Sequence, residues 1–202
     1  MTIRAVYFDN GGVIVRTEFQ APRQHLAERL GMEYEALVSL VFESATAKQA
    51  AIGLIPEEDH WAAVMRSLHL PGSQAQAIRD EFFAGDVTDL ALLDFMRGLR
   101  EKCKVGLISN AWSGLRPWII NRKYDDAFDA MIISAEIGMA KPDPRIYQLA
   151  LEKLGVAASE SVFLDDFREN VDAAEAVGMH AIHFSRPEQA LQELKQLLAN
   201  HG

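Results

Sequence analysis

Carboxylate side chains follow short apolar segments at two distant points of the chain. Asp9 follows Val6-Tyr7-Phe8 and precedes the pair Gly11-Gly12, and Asp165-Asp166 follow Val162-Phe163-Leu164. Two adjacent carboxylates repel each other unless a cation or a hydrogen-bond donor lies between them. These residue types therefore indicate a site that attracts positive charge, such as a divalent metal ion.

A serine and a lysine stand in comparable positions. Ser109 and Asn110 end the apolar run Gly106-Leu107-Ile108, and Lys141 lies in a loop shortly before Pro142. Each fragment alone has a structural explanation: an Asx-type turn, a helix N-cap, a solvated acidic turn and a solvated lysine. Together they favour a phosphate site. There a carboxylate attacks phosphorus, a divalent cation offsets the repulsion between anions, and hydroxyl and ammonium groups bind the nonbridging oxygens.

The elements that would position these side chains are short strands. Five apolar runs rich in Val, Ile and Phe predict buried strands at residues 3–8, 104–108, 130–134, 161–164 and 179–184. Such strands alternating with helices are typical of an α/β fold with a parallel sheet covered on both faces. Ligands bind open sheets of this kind at the carboxyl ends of the strands, which is where the polar residues lie.

Helical periodicity divides the chain into two predicted parts. Amphipathic helices are expected at residues 89–101, 144–154, 170–177 and 187–199, between and after the strands. From residue 16 to about residue 87 no strand is predicted, only helices at 22–30, 34–47, 56–68 and 73–83. An insertion this long exceeds an ordinary connection and predicts a helical subdomain. The division is therefore a core of residues 1–16 and 88–202 with an inserted helical cap of residues 17–87.

Composition excludes several classes of protein. The 202 residues carry 20 Lys plus Arg against 29 Asp plus Glu, a net charge of −9, and lack the basic stripe that nucleic-acid binding needs. No apolar run approaches the roughly 20 residues of a membrane-spanning helix, and the N-terminal residues do not resemble a signal peptide. With a single cysteine, Cys103, an intrachain disulfide is excluded and a reducing, cytoplasmic location is expected.

The order and spacing of four motifs resemble the haloacid dehalogenase-like hydrolases. These motifs are Phe8-Asp9-Asn10-Gly11-Gly12-Val13, Ile108-Ser109-Asn110, Gly138-Met139-Ala140-Lys141-Pro142 and Phe163-Leu164-Asp165-Asp166-Phe167-Arg168-Glu169-Asn170. Residues 136–147 are similar to the bacterial alpha-glucose-1-phosphatases and to the phosphatase domain of soluble epoxide hydrolases. The resemblance implies a Rossmann-like core, a helical cap, and Mg²⁺-dependent hydrolysis of a small phosphorylated metabolite such as a sugar phosphate, through an aspartyl-phosphate.

The same resemblance implies a role for each matching residue. Asp9 is expected to be the nucleophile and a metal ligand, with the Gly11 carbonyl and the Asp166 carboxylate as further ligands. Asp165 and Asn170 are expected to support the metal site without being its main direct ligands. The residues expected to bind phosphate are Asn10, Ser109, Asn110 and Lys141, of which Lys141 also orients Asp9.

Gly11 departs from the pattern of the family. Most of its phosphatases carry there a second Asp, which protonates the leaving group, and general acid catalysis is worth about 10²- to 10⁴-fold. Without it, we expect a preference for leaving groups of low pKa, as in sugar-1-phosphates, acyl phosphates or aryl phosphates. Glu18, His25 and His60 of the cap are candidate replacement donors, although surface or packing roles explain each of them as well.

Several alternatives remain open at this point. A protein that binds metal and phosphate but has lost turnover would also fit the glycine at position 11. A haloacid dehalogenase is disfavoured, because that branch needs no metal and typically lacks the adjacent acidic pair. Trp112 is expected either to contact substrate or to pack beneath the cap, and the cap to move about hinges at Val15–Thr17 and 85–88. The protein is expected to be a monomer or a homodimer.

Overall fold

The computed structural model describes residues 2–200 and contains a five-stranded parallel sheet. Its strands are β1 (Ala5–Phe8), β4 (Lys104–Ser109), β5 (Ala130–Ile133), β6 (Ser161–Asp165) and β7 (His180–His183). Their order across the sheet is β5-β4-β1-β6-β7, and all neighbours run parallel. The predicted α/β fold is confirmed, and each of the five predicted strands is present with ends shifted by at most two residues.

The sheet is apolar on both faces, because its three central strands are buried except for Lys104 at the start of β4. In β1 the side chains of Val6 and Phe8 join one hydrophobic cluster, whereas Ala5 and Tyr7 join another. Alternate residues of a strand point to opposite faces, so the two clusters lie on the two sides of the sheet. Near-continuous apolar runs are what a sheet covered on both sides requires.

Helices cover these faces in the order expected of an α/β fold. They are α6 (Leu90–Leu99), α7 (Leu115–Asn121), α8 (Ser134–Ile137), α9 (Pro144–Leu154), α10 (Arg168–Val177) and α11 (Pro187–Asn200). Asp89 caps α6 by accepting a hydrogen bond from the amide of Leu92, and Gly155 ends α9 with a left-handed backbone. The sequence analysis missed α7 and α8, which are too short to show a helical period.

Five further helices form the inserted segment, and we call them the cap helices. They are α1 (Ala21–Arg29), α2 (Tyr34–Phe42), α3 (Ala45–Ala51), α4 (Glu57–Ser67) and α5 (Ala75–Phe82). They enclose a hydrophobic cluster of their own, which includes Leu37, Trp61 and Phe82. The prediction of one helix over 34–47 was wrong. The chain breaks at Glu43-Ser44, where the Ser44 side chain accepts a hydrogen bond from the amide of Ala47 and starts α3.

A two-stranded antiparallel ribbon joins the cap helices to the rest of the chain. It pairs β2 (Val15–Thr17) with β3 (Asp86–Thr88), so the expectation of no strand between residues 16 and 87 was wrong. Three residues are too few to show the period of two by which a strand is detected. The predicted domain boundaries fall within this ribbon. The division into a core and a cap stays a prediction. Its outermost residues, 1, 201 and 202, lie outside the described part of the chain.

None of the helices within residues 2–200 is both long enough and apolar enough to traverse a lipid bilayer.

Candidate active site

The register of the central strands brings the acidic residues to one edge of the sheet. Phe8 pairs with Leu107 on one side and with Leu164 on the other, so Asp9 and Asp165 leave the sheet at the same level. Carboxylate oxygens of Asp9, Asp165 and Asp166 lie within 4.8 Å of one another. Ser109 ends β4 at this edge and is almost completely buried.

Lys141 reaches the carboxylates from the loop before α9. Its Nζ atom lies 3.1 Å from Asp9 Oδ2 and 2.6 Å from Asp165 Oδ2, and it donates to the carbonyl of Ile108 at 2.9 Å. The side chain is fully buried. An ammonium group has three N–H donors, so these three acceptors account for all of them. In this arrangement the Lys141 ammonium group lies beside Asp9 and has no spare donor.

The asparagines expected to bind phosphate have protein partners. The side chain of Asn110 donates to the carbonyl of Lys141 and accepts from its amide, both at 2.8 Å, so it holds the Lys141 loop. The backbone amide of Asn10 donates to Asp9 Oδ1 at 2.6 Å. The side-chain Oδ1 of Asn10 accepts a hydrogen bond from the hydroxyl of Tyr124 at 3.3 Å. Sequence reasoning missed Tyr124, which no motif marks because it lies 114 residues from Asn10.

The two adjacent carboxylates differ in their hydrogen bonding. Asp165 Oδ2 contacts Lys141, and Asp165 Oδ1 accepts from the amide of Phe167 at 2.8 Å and from Asn170 Nδ2 at 3.0 Å. Asp166 Oδ1 is buried and has no hydrogen-bond partner among the described residues, and the same is true of Asn170 Oδ1. Buried oxygens without a donor are costly, so each of these two oxygens marks a place where a cation or water would bind.

Burial and mutual repulsion raise the pKa of these carboxyl groups. Burial raises the pKa of Asp9, with Lys141 opposing and Asp165 adding to the effect. Burial, together with the charges of Asp9 and Asp165, raises the pKa of Asp166 from 3.8 to about 7. Three carboxylates share one ammonium group here, so the ionised site carries an excess of negative charge that a divalent cation would balance.

The paired glycines after Asp9 have different surroundings. Gly12 has a φ of +72°, and a Cβ atom placed on it would lie 2.1 Å from Asp166 Oδ2. A Cβ placed on Gly11 would have no atom within 4 Å. Gly12 therefore allows the loop to pass against the Asp166 carboxylate, a function for which the Gly-Gly pair was the only signal in the sequence.

The proposed replacement donors have other partners or positions. Glu18 pairs with Arg16 at 3.0 Å, and His25 is exposed on α1. His60 is fully buried among the cap helices, with Nδ1 at 2.9 Å from Thr46 Oγ1 and its ring 4.6 Å from that of Trp112. His60 thus packs in the hydrophobic cluster of the cap helices.

Trp112 extends from the loop after β4 into the cap helices. It packs against their hydrophobic cluster, and its Nε1 donates to the carbonyl of Ala47 at 3.2 Å. Of the two expectations for Trp112, packing beneath the cap is the one that the structure supports.

Comparison with known proteins gives matches along most of the chain. Residues 3–178 match the family model described as haloacid dehalogenase-like hydrolase. The sesquiterpene phosphatase astK of Aspergillus oryzae is 29% identical over 199 residues, which cover 98% of this chain and 97% of that protein. Phosphatase MT3486 of Mycobacterium tuberculosis is 29% identical over 213 residues, covering 100% and 96%.

A solved structure has the same fold. It is the HAD family enzyme bt-2542 of Bacteroides thetaiotaomicron in complex with magnesium and inorganic phosphate, with a TM-score of 0.74 at 23% identity. The match covers 90% of this chain and 93% of that one.

Proposed function

Since this chain belongs to the haloacid dehalogenase-like hydrolases, we propose that it is a Mg²⁺-dependent phosphatase in which Asp9 attacks phosphorus to form an aspartyl-phosphate. The observation that carries the proposal is the carboxylate cluster itself, in which Asp9 lies beside Lys141 and Asp166, and one buried oxygen of Asp166 has no hydrogen-bond partner among the described residues. The relatives that are named as phosphatases and span nearly all of this chain support it.

The donor set fits a magnesium ion. Mg²⁺ prefers oxygen ligands, and Asp166 Oδ1 and Asn170 Oδ1 are buried oxygens to which no described residue donates a hydrogen bond. Asp9, Asp166 and the carbonyl of Gly11 would hold the ion. Asp165 would support it from behind, because both of its oxygens already accept hydrogen bonds. The bound ion would neutralise charge and so offset the repulsion between the Asp9 carboxylate and the phosphate.

The reaction would proceed in two displacements at phosphorus. A carboxylate oxygen of Asp9 forms a bond to phosphorus while the bond to the leaving oxygen breaks, and the electron pair departs with that oxygen. Water then attacks phosphorus in the aspartyl-phosphate, which releases inorganic phosphate and restores the carboxylate. Lys141 opposes the rise in the Asp9 pKa that burial causes, and so keeps the nucleophile ionised and oriented. Ser109 and the backbone near Asn10 and Asn110 would bind the phosphoryl oxygens.

Gly11 restricts the substrate class. Glycine has no proton to give, so the leaving oxygen departs without help from this position. Leaving groups of low pKa tolerate that loss best, which favours aryl phosphates, acyl phosphates and anomeric sugar phosphates among small phosphorylated metabolites.

A pre-steady-state assay tests the proposal. With p-nitrophenyl phosphate and Mg²⁺, we expect a burst of p-nitrophenolate equal to the enzyme concentration, followed by slower turnover. Asp9→Asn should remove both phases while its melting temperature stays close to that of the native protein. A mutant that still shows the burst would overturn the assignment of Asp9.

A second candidate is a binding protein without turnover, and the glycine at position 11 is the observation that favours it. In that case the same assay would show neither burst nor turnover, while calorimetry would still detect Mg²⁺ binding.

A further inference from the structure

The loop that follows Ser109 and Asn110 is held by the first residues of α8. The amide of Ala111 donates to Ser134 Oγ at 2.9 Å, and the carbonyl of Ala111 accepts from the amide of Ala135 at 3.3 Å. Ser134 is fully buried. Because a buried amide that loses its acceptor is costly, the Ser134 hydroxyl group fixes where Ala111 lies. One side chain thus helps to set the course of the chain directly after the residues proposed to bind phosphate.

The same hydroxyl group contacts the cap helices. Ser134 Oγ lies 2.5 Å from the carbonyl oxygen of Ala51, the last residue of α3, and 3.2 Å from the carbonyl oxygen of Ala111. A serine hydroxyl has one proton, so it donates to only one of these carbonyls at a time. When it donates to Ala51, its lone pairs are free to accept from the Ala111 amide. If α3 moved away, the proton would turn to the Ala111 carbonyl and the bond from the Ala111 amide would weaken.

A close backbone contact lies just beyond Ala51. Gly53 has a φ of +69°, and a Cβ atom placed on it would lie 2.2 Å from the carbonyl oxygen of Ala135. The absence of a side chain at Gly53 therefore lets the chain after α3 pass against α8. Gly31, which follows α1, has a similar φ of +67°, but a Cβ atom placed there would have no atom within 4 Å. Substitutions at the two glycines thus separate backbone strain from the contact with α8.

From these contacts we propose that Ser134 is a positioning residue, which fixes the loop after β4 for phosphate binding and links that loop to α3. The inference rests on the proposed function, in which Ser109 and the backbone near Asn110 bind the phosphoryl oxygens. A linkage between two sites is reciprocal. Phosphate bound at the loop therefore stabilises the contact between Ser134 and α3, and that contact raises the affinity for phosphate.

Binding of inorganic phosphate tests the role of Ser134 without any turnover. In calorimetry with Mg²⁺ we expect Ser134→Ala to raise the Kd for phosphate by about tenfold, because the Ala111 amide loses its acceptor. Ser161→Ala is the matched control. Ser161 is equally buried, and its hydroxyl donates to the carbonyl of Ala158 at 2.7 Å at the start of β6, the opposite end of the sheet. This control should also lower the melting temperature but leave the Kd unchanged. An unchanged Kd in Ser134→Ala would overturn the proposal.

Two glycine variants test the link from the side of the cap helices. Gly53→Ala should displace the end of α3 from α8 and raise the Kd for phosphate severalfold, whereas Gly31→Ala should leave the Kd unchanged. Equal effects of the two variants on the Kd would overturn the link.

Hydrogen exchange tests the link in the native protein, so it does not depend on how well a variant folds. Phosphate with Mg²⁺ should slow the exchange of amides in α3 severalfold, and Ser134→Ala should remove this protection. Phosphate that does not bind, or that binds without protecting α3, would overturn the link.

Failure of the proposed phosphatase activity gives a different result from failure of this inference. If no phosphate ester is hydrolysed but phosphate binding still depends on Ser134, the phosphatase proposal falls and the link stands. If p-nitrophenyl phosphate is hydrolysed, we expect Ser134→Ala to raise KM by about tenfold with little change in kcat. Hydrolysis with an unchanged KM and an unchanged Kd for phosphate would leave Ser134 a merely structural residue and overturn the link.

Discussion

Asp165 and Asp166 are adjacent in the chain, yet their carboxylates have opposite surroundings. Asp165 accepts hydrogen bonds on both oxygens, from Lys141, Phe167 and Asn170, whereas Asp166 keeps one buried oxygen without a partner. The motif alone shows two acids and does not indicate which of them is the better metal ligand. The hydrogen bonds do indicate it, because a carboxylate whose oxygens already accept hydrogen bonds gains less from a metal ion than a carboxylate with a free oxygen.

The raised pKa of Asp166 makes Mg²⁺ affinity dependent on pH. An acid with its pKa raised to about 7 keeps its proton to higher pH, and Mg²⁺ must displace that proton to bind. We therefore expect the affinity for Mg²⁺ to fall by about tenfold from pH 8 to pH 6, with proton release on binding near neutral pH. Isothermal titration calorimetry in buffers of different ionisation enthalpy measures both quantities. An affinity that stays constant down to pH 5.5 would contradict the expectation.

The two glycines after Asp9 should respond differently to alanine. In Gly12→Ala the new methyl group would meet the Asp166 carboxylate and the backbone would be strained at its positive φ. We expect a loss of Mg²⁺ affinity of tenfold or more, together with a lower melting temperature. Gly11→Ala is the control, since its methyl group enters open space. It should change neither the Mg²⁺ affinity nor the melting temperature by much. Equal effects of the two substitutions would show that the contact with Asp166 is unimportant.

Gly11 also offers a gain-of-function experiment. Because nothing lies within 4 Å of a Cβ at this position, Gly11→Asp can be accommodated and would supply the missing general acid. We expect kcat for an alkyl phosphate to rise by about 10-fold or more and kcat for p-nitrophenyl phosphate to change little. Steady-state rates on the two esters decide the matter, and a gain that is equal for both esters would argue against proton donation.

At the scale of elements, the predictable features are those that depend on long or strongly marked segments. The buried strands were predicted from apolar runs, and α9 has its predicted ends, where Asp143 accepts a hydrogen bond from the amide of Arg145 and Gly155 has a left-handed backbone. The ribbon and α7 were missed because three to seven residues show no period. The break at Glu43-Ser44 was missed because both flanking segments are helical and only a serine cap separates them.

Partners far apart in sequence could not be predicted either. The four motifs indicated which residues meet at the sheet edge, since parallel strands end there together. They did not indicate that Tyr124 bonds to Asn10, or that Asn110 holds the Lys141 loop instead of facing a ligand. Such contacts depend on where a loop turns, and loop geometry leaves little trace in composition.

The start of α4 is fastened to the loop after β4 by a buried carboxylate. Glu57 is 3% exposed, accepts from the amide of Gly114 at 2.9 Å and pairs with Arg79 at 2.7 Å. Glu57→Ala leaves these donors without an acceptor, so we expect the free energy of unfolding to fall by about 1–3 kcal/mol. Its exposed neighbour gives the control, because Glu58→Ala should change the free energy by less than about 0.5 kcal/mol. Urea denaturation of both variants measures the difference.

At the scale of the whole molecule, the cap helices are joined to the sheet at more than the ribbon. Trp112 packs in their hydrophobic cluster, and Ser134 Oγ donates to the carbonyl of Ala51 at 2.5 Å. Gly53 passes so close to Ala135 that a Cβ would lie 2.2 Å from its carbonyl oxygen. Any opening of the cap about the predicted hinges therefore has to break these contacts. Substrate exchange through small local movements would break fewer of them.

The central position of β1 in the sheet affects how the protein folds while it is being synthesised. Ala5 pairs with Lys104 on one side and with Ser161 on the other. The two strands that pair with β1 are therefore synthesised about 100 and about 155 residues after it. Pairings this distant in sequence slow folding and leave apolar strands uncovered meanwhile. We expect a nascent chain arrested after residue 155 to stay sensitive to protease in β1, and one extended past β7 to resist it. Until then β1 is a strand without neighbours on one side, and chaperones that bind apolar segments should compete for it.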